Sequence, residues 1–135
     1  MARVTGIGGV FFKVKDPAAT RDWYRQHLGF NSDEYGTSFE WRHADQPDHK
    51  GFTLWSPFKE STDYFDEPIM INFRVDDMDA LLDQLRLEGI EVVSEVQSFE
   101  YGKFVHILDN DGNKVELWEP EDSAYDEMIG DARTR

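Results

Sequence analysis

Two side chains near the C-terminal end, His106 and Glu116, form the pair in this sequence best suited to acid–base chemistry. They lie in residues 105–120, where two apolar-rich runs flank the turn-forming sequence DNDGN. A β-hairpin closed at that turn places His106 roughly opposite Glu116, with Cβ atoms about 5 Å apart. A histidine beside a carboxylate can act as a general base with its orienting group. The alternative is that the two polar groups only satisfy each other in a buried position.

Alternatively, His106 and Glu116 could supply two ligands of a metal site. The third ligand would have to come from His43, His49 or a partner chain, and the spacing supports none of these. The chain has no cysteine, which excludes disulfides, thiolate catalysis and cysteine-ligated zinc.

An internal repeat predicts which other side chains share the sheet face of Glu116. The segment GFTLWSP has the same pattern as VELWEP, so that Thr53 and Trp55 correspond to Glu116 and Trp118. Alternation along the remaining strands adds further residues to that face. The predicted ligand-binding residues are Phe11, Lys13, Thr53, Trp55, Met70, Asn72, Arg74, Phe104 and Trp118.

Charged and aromatic members of this set have distinct predicted roles. Arg74 could clamp a ligand carboxylate with two hydrogen bonds, or pair with Asp76 or Glu116. The indoles of Trp55 and Trp118 could stack on a planar or cationic ligand, or simply belong to the core.

The elements that position these residues follow a pattern that occurs twice. A strand at 7–14 leads into a helix that Asp16 caps and Gly29 ends, and strands are predicted at 35–43 and 52–55. The second copy has a strand at 69–75, a helix capped by Asp77 and stopped by Gly89, a strand at 91–96 and the closing hairpin.

The repeat predicts one compact α+β domain with two modules, at 1–57 and 69–120. Residues 58–68 connect the modules and carry aromatic residues that suggest a cover over a cavity mouth or a subunit contact. Residues 121–135 form an acidic C-terminal tail, which we expect to be partly disordered or to pack on a neighbouring chain.

Composition excludes several kinds of partner. The formal net charge is -14 at pH 7, which argues against nucleic acid and against an anionic membrane surface. No secretory signal and no apolar run long enough to span a bilayer is evident. We therefore expect a cytoplasmic protein, and the connector aromatics and the tail predict a homodimer.

Three segments carry a resemblance to a known family: VKDPAATRDWYRQHLGF, INFRVDDMDALLDQLRLEGIEV and LDNDGNKVELWEP. They resemble the vicinal oxygen chelate superfamily, which includes glyoxalase I, extradiol dioxygenases, and fosfomycin- and bleomycin-resistance proteins. The resemblance implies two tandem βαβββ modules whose curved mixed sheets enclose a cavity. It also implies four metal-ligand positions, which fall here on Gly9, Thr53, Met70 and Glu116.

Only Glu116 among these four positions offers a good ligand, because glycine has no side chain and a thioether suits hard or borderline cations poorly. We therefore expect no metal and no other cofactor. The sequence predicts a glyoxalase/bleomycin-resistance-like protein that binds a small aromatic or cationic molecule. The alternative is a glyoxalase-like lyase, isomerase or dioxygenase that uses His106 and Glu116 as acid and base or in a rebuilt metal site. A third possibility is a module that serves only assembly.

Overall fold

The fold is described from a computed structural model, which covers residues 2–135. The strands are β1 (Val4–Val14), β2 (Thr37–Arg42), β3 (Lys50–Lys59), β4 (Ile69–Val75), β5 (Gln97–Phe99), β6 (Gly102–Leu108), β7 (Lys114–Pro120) and β8 (Arg133–Thr134). The helices are α1 (Pro17–Leu28), α2 (Met78–Leu87) and α3 (Asp122–Ile129). The predicted α+β class is confirmed.

All eight strands form one mixed sheet in the order β5-β6-β7-β4-β1-β3-β2-β8. The first strands of the two predicted modules, β1 and β4, pair antiparallel at its centre. Each of them also pairs in parallel with the last long strand of its own module, β1 with β3 and β4 with β7. The chain therefore brings its two repeats together within one molecule.

Local signals set the helix ends as predicted. The carboxylates of Asp16 and Asp77 accept hydrogen bonds from the backbone N–H groups of Ala19 and Ala80, three residues further on. Gly29 follows α1 with a φ of 75°, a left-handed conformation that glycine adopts without a Cβ penalty.

The two faces of the sheet are covered by different elements. On the outer face, α2 buries Leu81 and Leu82 against Val105 and Leu117 of the last hairpin, and α1 covers the first half. On the inner face, Tyr125 of α3 packs against Trp118. Phe65, from the connector that follows β3, packs beside Met70 and Phe11. Most of both faces is thus covered by the chain's own side chains.

Two predicted elements differ in the structure. The strand expected at 91–96 is wrong, because that segment makes only an isolated bridge between Val92 and Ile107, and β5 follows it at Gln97–Phe99. The C-terminal tail also differs from the prediction of partial disorder or packing on a neighbouring chain, because it packs on its own chain. It forms α3 and β8, which pairs with β2, and Tyr125 and Ile129 are buried. Within residues 2–135, no helix is long and apolar enough to cross a membrane.

Candidate functional site

A row of five residues crosses five neighbouring strands in direct register. Leu54 lies opposite Gly9, Gly9 opposite Asn72, Asn72 opposite Glu116, and Glu116 opposite His106. Because directly opposed residues point to the same side of a sheet, the row runs along the inner face. The ladder itself therefore brings an amide, a carboxylate and an imidazole together.

The carboxylate of Glu116 is buried and accepts three hydrogen bonds or close polar contacts. Oε1 accepts from Nδ2 of Asn72 at 2.7 Å, and Oε2 lies 2.8 Å from Nε2 of His106. The Tyr64 hydroxyl donates to Oε2 as well. Glu116 is only 1% exposed. This fulfils the predicted proximity of His106 and Glu116, and it adds two partners.

The sequence suggests only that connector aromatics such as Tyr64 cover a cavity mouth or form a subunit contact, and no periodicity predicts the contact of Tyr64 with Glu116. Burial, together with the negative charge of Glu116, raises the pKa of the Tyr64 phenol well above its usual range. The phenol therefore stays protonated and keeps donating to the carboxylate. Its ring stacks on Phe58 and meets the imidazole of His106 edge-on, with centroids 5.8 and 5.0 Å away.

Thr53 and Trp55 do not lie on the inner face, so their predicted placement in the cavity is wrong. The ring of Trp55 packs against Tyr24 and Phe30, 4.5 and 4.9 Å away, at the outer face beside α1. Thr53 donates to the backbone oxygen of Ile7 and accepts from the indole N–H of Trp41. The sequence alignment of GFTLWSP with VELWEP, based on their shared Leu-Trp pair, predicted that Thr53 and Trp55 face inward. In the sheet, the inward-facing positions of β3 are shifted by one residue. Leu54, rather than Thr53, lies in the same row of the inner face as Glu116.

Arg74 is on the inner face as predicted, but its terminal nitrogens already have a partner. They form a bidentate pair with the Asp122 carboxylate of α3, at 3.0 and 2.6 Å. The predicted partners, Asp76 and Glu116, are therefore wrong. The guanidinium lies over the rings of Trp41 and Trp118, so this residue fastens α3 to the sheet.

The remaining predicted residues lie on the inner face among the chain's own side chains. Trp118 stacks on Phe104 with centroids 5.6 Å apart, and its indole N–H donates to the backbone oxygen of Tyr101. Phe11 and Met70 pack in the group around Phe65. The ammonium of Lys13 donates to the backbone oxygen of Asp66 and lies 5.4 Å from the centre of the Phe65 ring. No free stacking surface is left on Trp118, which is 0% exposed.

A pocket of about 470 Å³ opens on the inner face beside this packed region. We call it the tyrosine pocket. It is lined by Asp33, Tyr35, Gly36, Thr37, Leu54, Ser56, Tyr101, Tyr125, Met128 and Ile129. If the register of β3 had been predicted correctly, strand alternation would have placed Leu54 and Ser56 on the inner face. The tyrosines lie on three separate segments, and no local sequence signal joins them.

The residues at the four family positions do not fit a metal ion. Gly9 has no side chain, and an added Cβ at the neighbouring Gly8 would lie 2.0 Å from Oδ1 of Asn72. Met70 is enclosed by aromatic rings. Thr53 does not face inward, and its inward-facing neighbour Leu54 has only an alkyl side chain. Glu116 is left as the one strong ligand, and it is already hydrogen-bonded. Across residues 2–135, no three His, Asp or Glu side chains are grouped so as to hold a metal.

Comparison with known proteins gives a consistent picture of the fold. Methylmalonyl-CoA epimerase from Streptomyces coelicolor, in complex with 2-nitronate-propionyl-CoA, has 18% identity and a TM-score of 0.66 over 88% of this chain and 99% of that one. The epimerase from Mycobacterium tuberculosis has 23% identity and a TM-score of 0.59, over 90% and 92%. The Mn(II)-bound glyoxalase from Novosphingobium aromaticivorans has 22% identity and a TM-score of 0.53, over 88% of this chain and 40% of that chain.

The sequence itself carries the family assignment. No curated protein matches the chain. Residues 6–117, which include both repeats and the row from Leu54 to His106, match the glyoxalase/bleomycin resistance protein/dioxygenase superfamily. The chain belongs to this superfamily.

Proposed function

We propose that this protein binds a small aromatic or cationic molecule in the tyrosine pocket, without a metal ion. The observation that carries the proposal is the lining of that pocket. Tyr35, Tyr101 and Tyr125 line it together with Asp33, whose carboxylate accepts a hydrogen bond from the backbone N–H of Tyr35. Ring faces attract cations, and a mostly apolar pocket with a few polar groups is the usual form of a small-molecule site.

Charge supports a cationic ligand over an anionic one. The chain carries a formal net charge of -14, and the one formally charged residue lining the tyrosine pocket is Asp33. An anionic ligand would meet a repulsive field and find no arginine or lysine at this pocket. Ser56 provides a hydroxyl group that can orient a polar substituent.

Three matched probes test this proposal: benzyltrimethylammonium, benzyl alcohol and benzoate. We expect the cation to raise the melting temperature most and benzoate least. A ligand at about a hundred times its dissociation constant stabilises the folded state by roughly 2.7 kcal/mol, which is readily measured. Equal effects of all three probes, or no effect of any, would contradict a cation-selective pocket.

A pair of tryptophan variants locates the binding. Met128 lines the tyrosine pocket, so Met128→Trp is expected to fill it and abolish the shift caused by the cation. Leu87 is 90% exposed on α2 and does not line the pocket, so Leu87→Trp serves as the control that keeps the shift. Binding that survives Met128→Trp would place the ligand elsewhere.

A second candidate function is acid–base catalysis by His106 and Glu116. The observation in its favour is a buried carboxylate held 2.8 Å from an imidazole nitrogen. Such a pair suits the removal and return of a proton next to a carbonyl group. Methylmalonyl-CoA, which the names of the structural relatives mention, is the first substrate to assay.

Deuterium exchange distinguishes this candidate from simple binding. In deuterated water, an active enzyme would place deuterium at the acidic carbon of methylmalonyl-CoA, and both His106→Gln and Glu116→Gln would abolish the exchange. A chelator in every sample removes contaminating metal. If exchange does not exceed the uncatalysed rate, the result contradicts acid–base catalysis on this substrate and favours the binding function.

A further inference from the structure

Tyr64 contacts the carboxylate of Glu116 differently from the other two partners of that carboxylate. The other two partners of this carboxylate, Asn72 and His106, lie on the strands that flank β7 and are directly opposite Glu116 in the ladder. Their positions are fixed by the sheet. Tyr64 instead belongs to residues 60–68, which contain no helix or strand. It is the one partner that the sheet does not hold in place.

Tyr64 contacts the carboxylate of Glu116 and is itself partly exposed to solvent. Tyr64 is 37% exposed, whereas Glu116 is 1% exposed. Phe65, the next residue, is buried against Met70 and Phe11, but few hydrogen bonds hold the backbone of Tyr64 itself. The backbone N–H of Tyr64 donates to the hydroxyl of Thr62, two residues earlier, and its backbone oxygen accepts from the exposed ammonium of Lys114 at 3.3 Å. An outward swing of Tyr64 therefore disrupts few backbone contacts.

The space that the Tyr64 side chain fills has a defined chemistry. One wall is the ring of Phe58, which lies nearly parallel to the tyrosine ring at an angle of 7°. The imidazole of His106 meets the ring at 77°, and the carboxylate of Glu116 accepts from the hydroxyl at the end. These groups form a flat slot with an acceptor at its closed end.

We infer that Tyr64 stands in for a ligand, and that its displacement opens a second site for small phenols. A phenol reproduces both contacts of the tyrosine: its ring stacks on Phe58, and its hydroxyl donates to Glu116. The site lies apart from the tyrosine pocket, since neither Tyr64 nor Glu116 lines that pocket. The inference therefore does not depend on the proposed function.

The first test removes the Tyr64 side chain and adds a small phenol in its place. In Tyr64→Ala the slot is empty, and p-cresol is the side chain of tyrosine as a separate molecule. We expect p-cresol to bind this variant at least about tenfold more tightly than toluene, because a hydrogen bond to a charged group is lost with toluene. Tyr24→Ala removes a tyrosine whose ring packs on Trp55 at the outer face of the sheet, away from Glu116. This control should show no such preference.

The second test uses the intact chain, which avoids any question of folding. Fluorotyrosine labelling gives a ¹⁹F signal for each of the five tyrosines, and Tyr64→Phe identifies the signal of Tyr64. Addition of p-cresol to the labelled protein should shift the Tyr64 signal, whether or not a second molecule in the tyrosine pocket also shifts the signals of Tyr101 and Tyr125. Shifts at Tyr101 and Tyr125 alone would instead report binding in the tyrosine pocket.

Two results would overturn the inference. One is a folded Tyr64→Ala that binds p-cresol no more tightly than toluene, which would make Tyr64 a structural plug only. The other is an intact protein in which the Tyr64 signal does not respond to p-cresol up to its solubility limit, which would mean that the slot stays closed.

Discussion

His106 and Glu116 are direct partners across the β6–β7 ladder, and their side chains meet at 2.8 Å. Asn72 lies on the other side of Glu116, in the same register. The carboxylate is thus held between two strands by side chains whose positions follow from backbone pairing. Asn72, Glu116 and His106 form a hydrogen-bond network in which one polar atom, Oδ1 of Asn72, is buried without a hydrogen-bond partner.

Gly8→Ala should disturb this network through Asn72. The new Cβ would lie 2.0 Å from Oδ1 of Asn72, so the amide must shift, which disturbs its hydrogen bond to Glu116. We expect a loss of about 1–3 kcal/mol in the free energy of unfolding, measured by urea titration. Gly6→Ala is the matched control, because nothing lies within 4 Å of its added Cβ. Equal stability of the two variants would contradict the close approach at Gly8.

Arg74→Met should loosen α3 from the sheet. The arginine side chain is 3% exposed and pairs with Asp122 through two hydrogen bonds. Removing one partner of a buried ion pair lowers the free energy of unfolding by about 3–5 kcal/mol. We expect a smaller loss for Arg74→Met, because Asp122 keeps some contact with solvent. Hydrogen exchange of the α3 amides should rise in parallel.

Arg25→Met provides the control for that loss. Arg25 pairs with Asp22 on the surface of α1, where both side chains are more than half exposed. Such pairs contribute about 0–1 kcal/mol. If both substitutions cost the same, the buried pair does not anchor α3.

The C-terminal segment should become less firmly attached at acidic pH. The hydrogen bonds of Arg133 hold the pKa values of the Glu40 and Asp126 carboxyl groups below their usual range. Groups with a lowered pKa in the folded state stabilise it above their unfolded pKa values, near 4, and this contribution disappears as the pH falls through the lowered values. The free energy of unfolding should therefore fall on moving from pH 6 towards pH 3.

Arg133→Met tests the origin of that acid sensitivity. Without the guanidinium, both carboxyl groups return towards their usual pKa, so the variant should be less stable at pH 6 and should lose less on acidification. Urea unfolding at the two pH values measures the difference. A slope equal to that of the unaltered protein would mean that other carboxyl groups cause the acid sensitivity.

Added metal should have no specific effect through Glu116. We expect Zn²⁺, Ni²⁺, Mn²⁺ and Fe²⁺ to change the melting temperature by the same amount in the unaltered protein and in Glu116→Gln, because only one strong ligand occupies the family positions. A stabilisation that Glu116→Gln or His106→Ala removes would show a metal site and would direct attention to metal-dependent lyase and dioxygenase assays.

The sequence by itself determined the features that depend on neighbours along the chain. Asp16 and Asp77 cap their helices because a carboxylate three residues before an N–H group needs no distant partner. His106 meets Glu116 because a short turn fixes the register of a hairpin. The predicted cytoplasmic location, homodimer and domain boundaries remain predictions.

Only the tertiary structure decided which face β3 presents and what fills the inner face. The register of β3 against β1 arises from a ladder between distant segments, and a shift of one residue exchanges the faces, which moved Trp55 outward and Leu54 inward. The place of α3 depends likewise on a long-range ion pair to Arg74. Tyr64 reaches Glu116 from a connector without periodicity, so no pattern in the sequence could predict that contact.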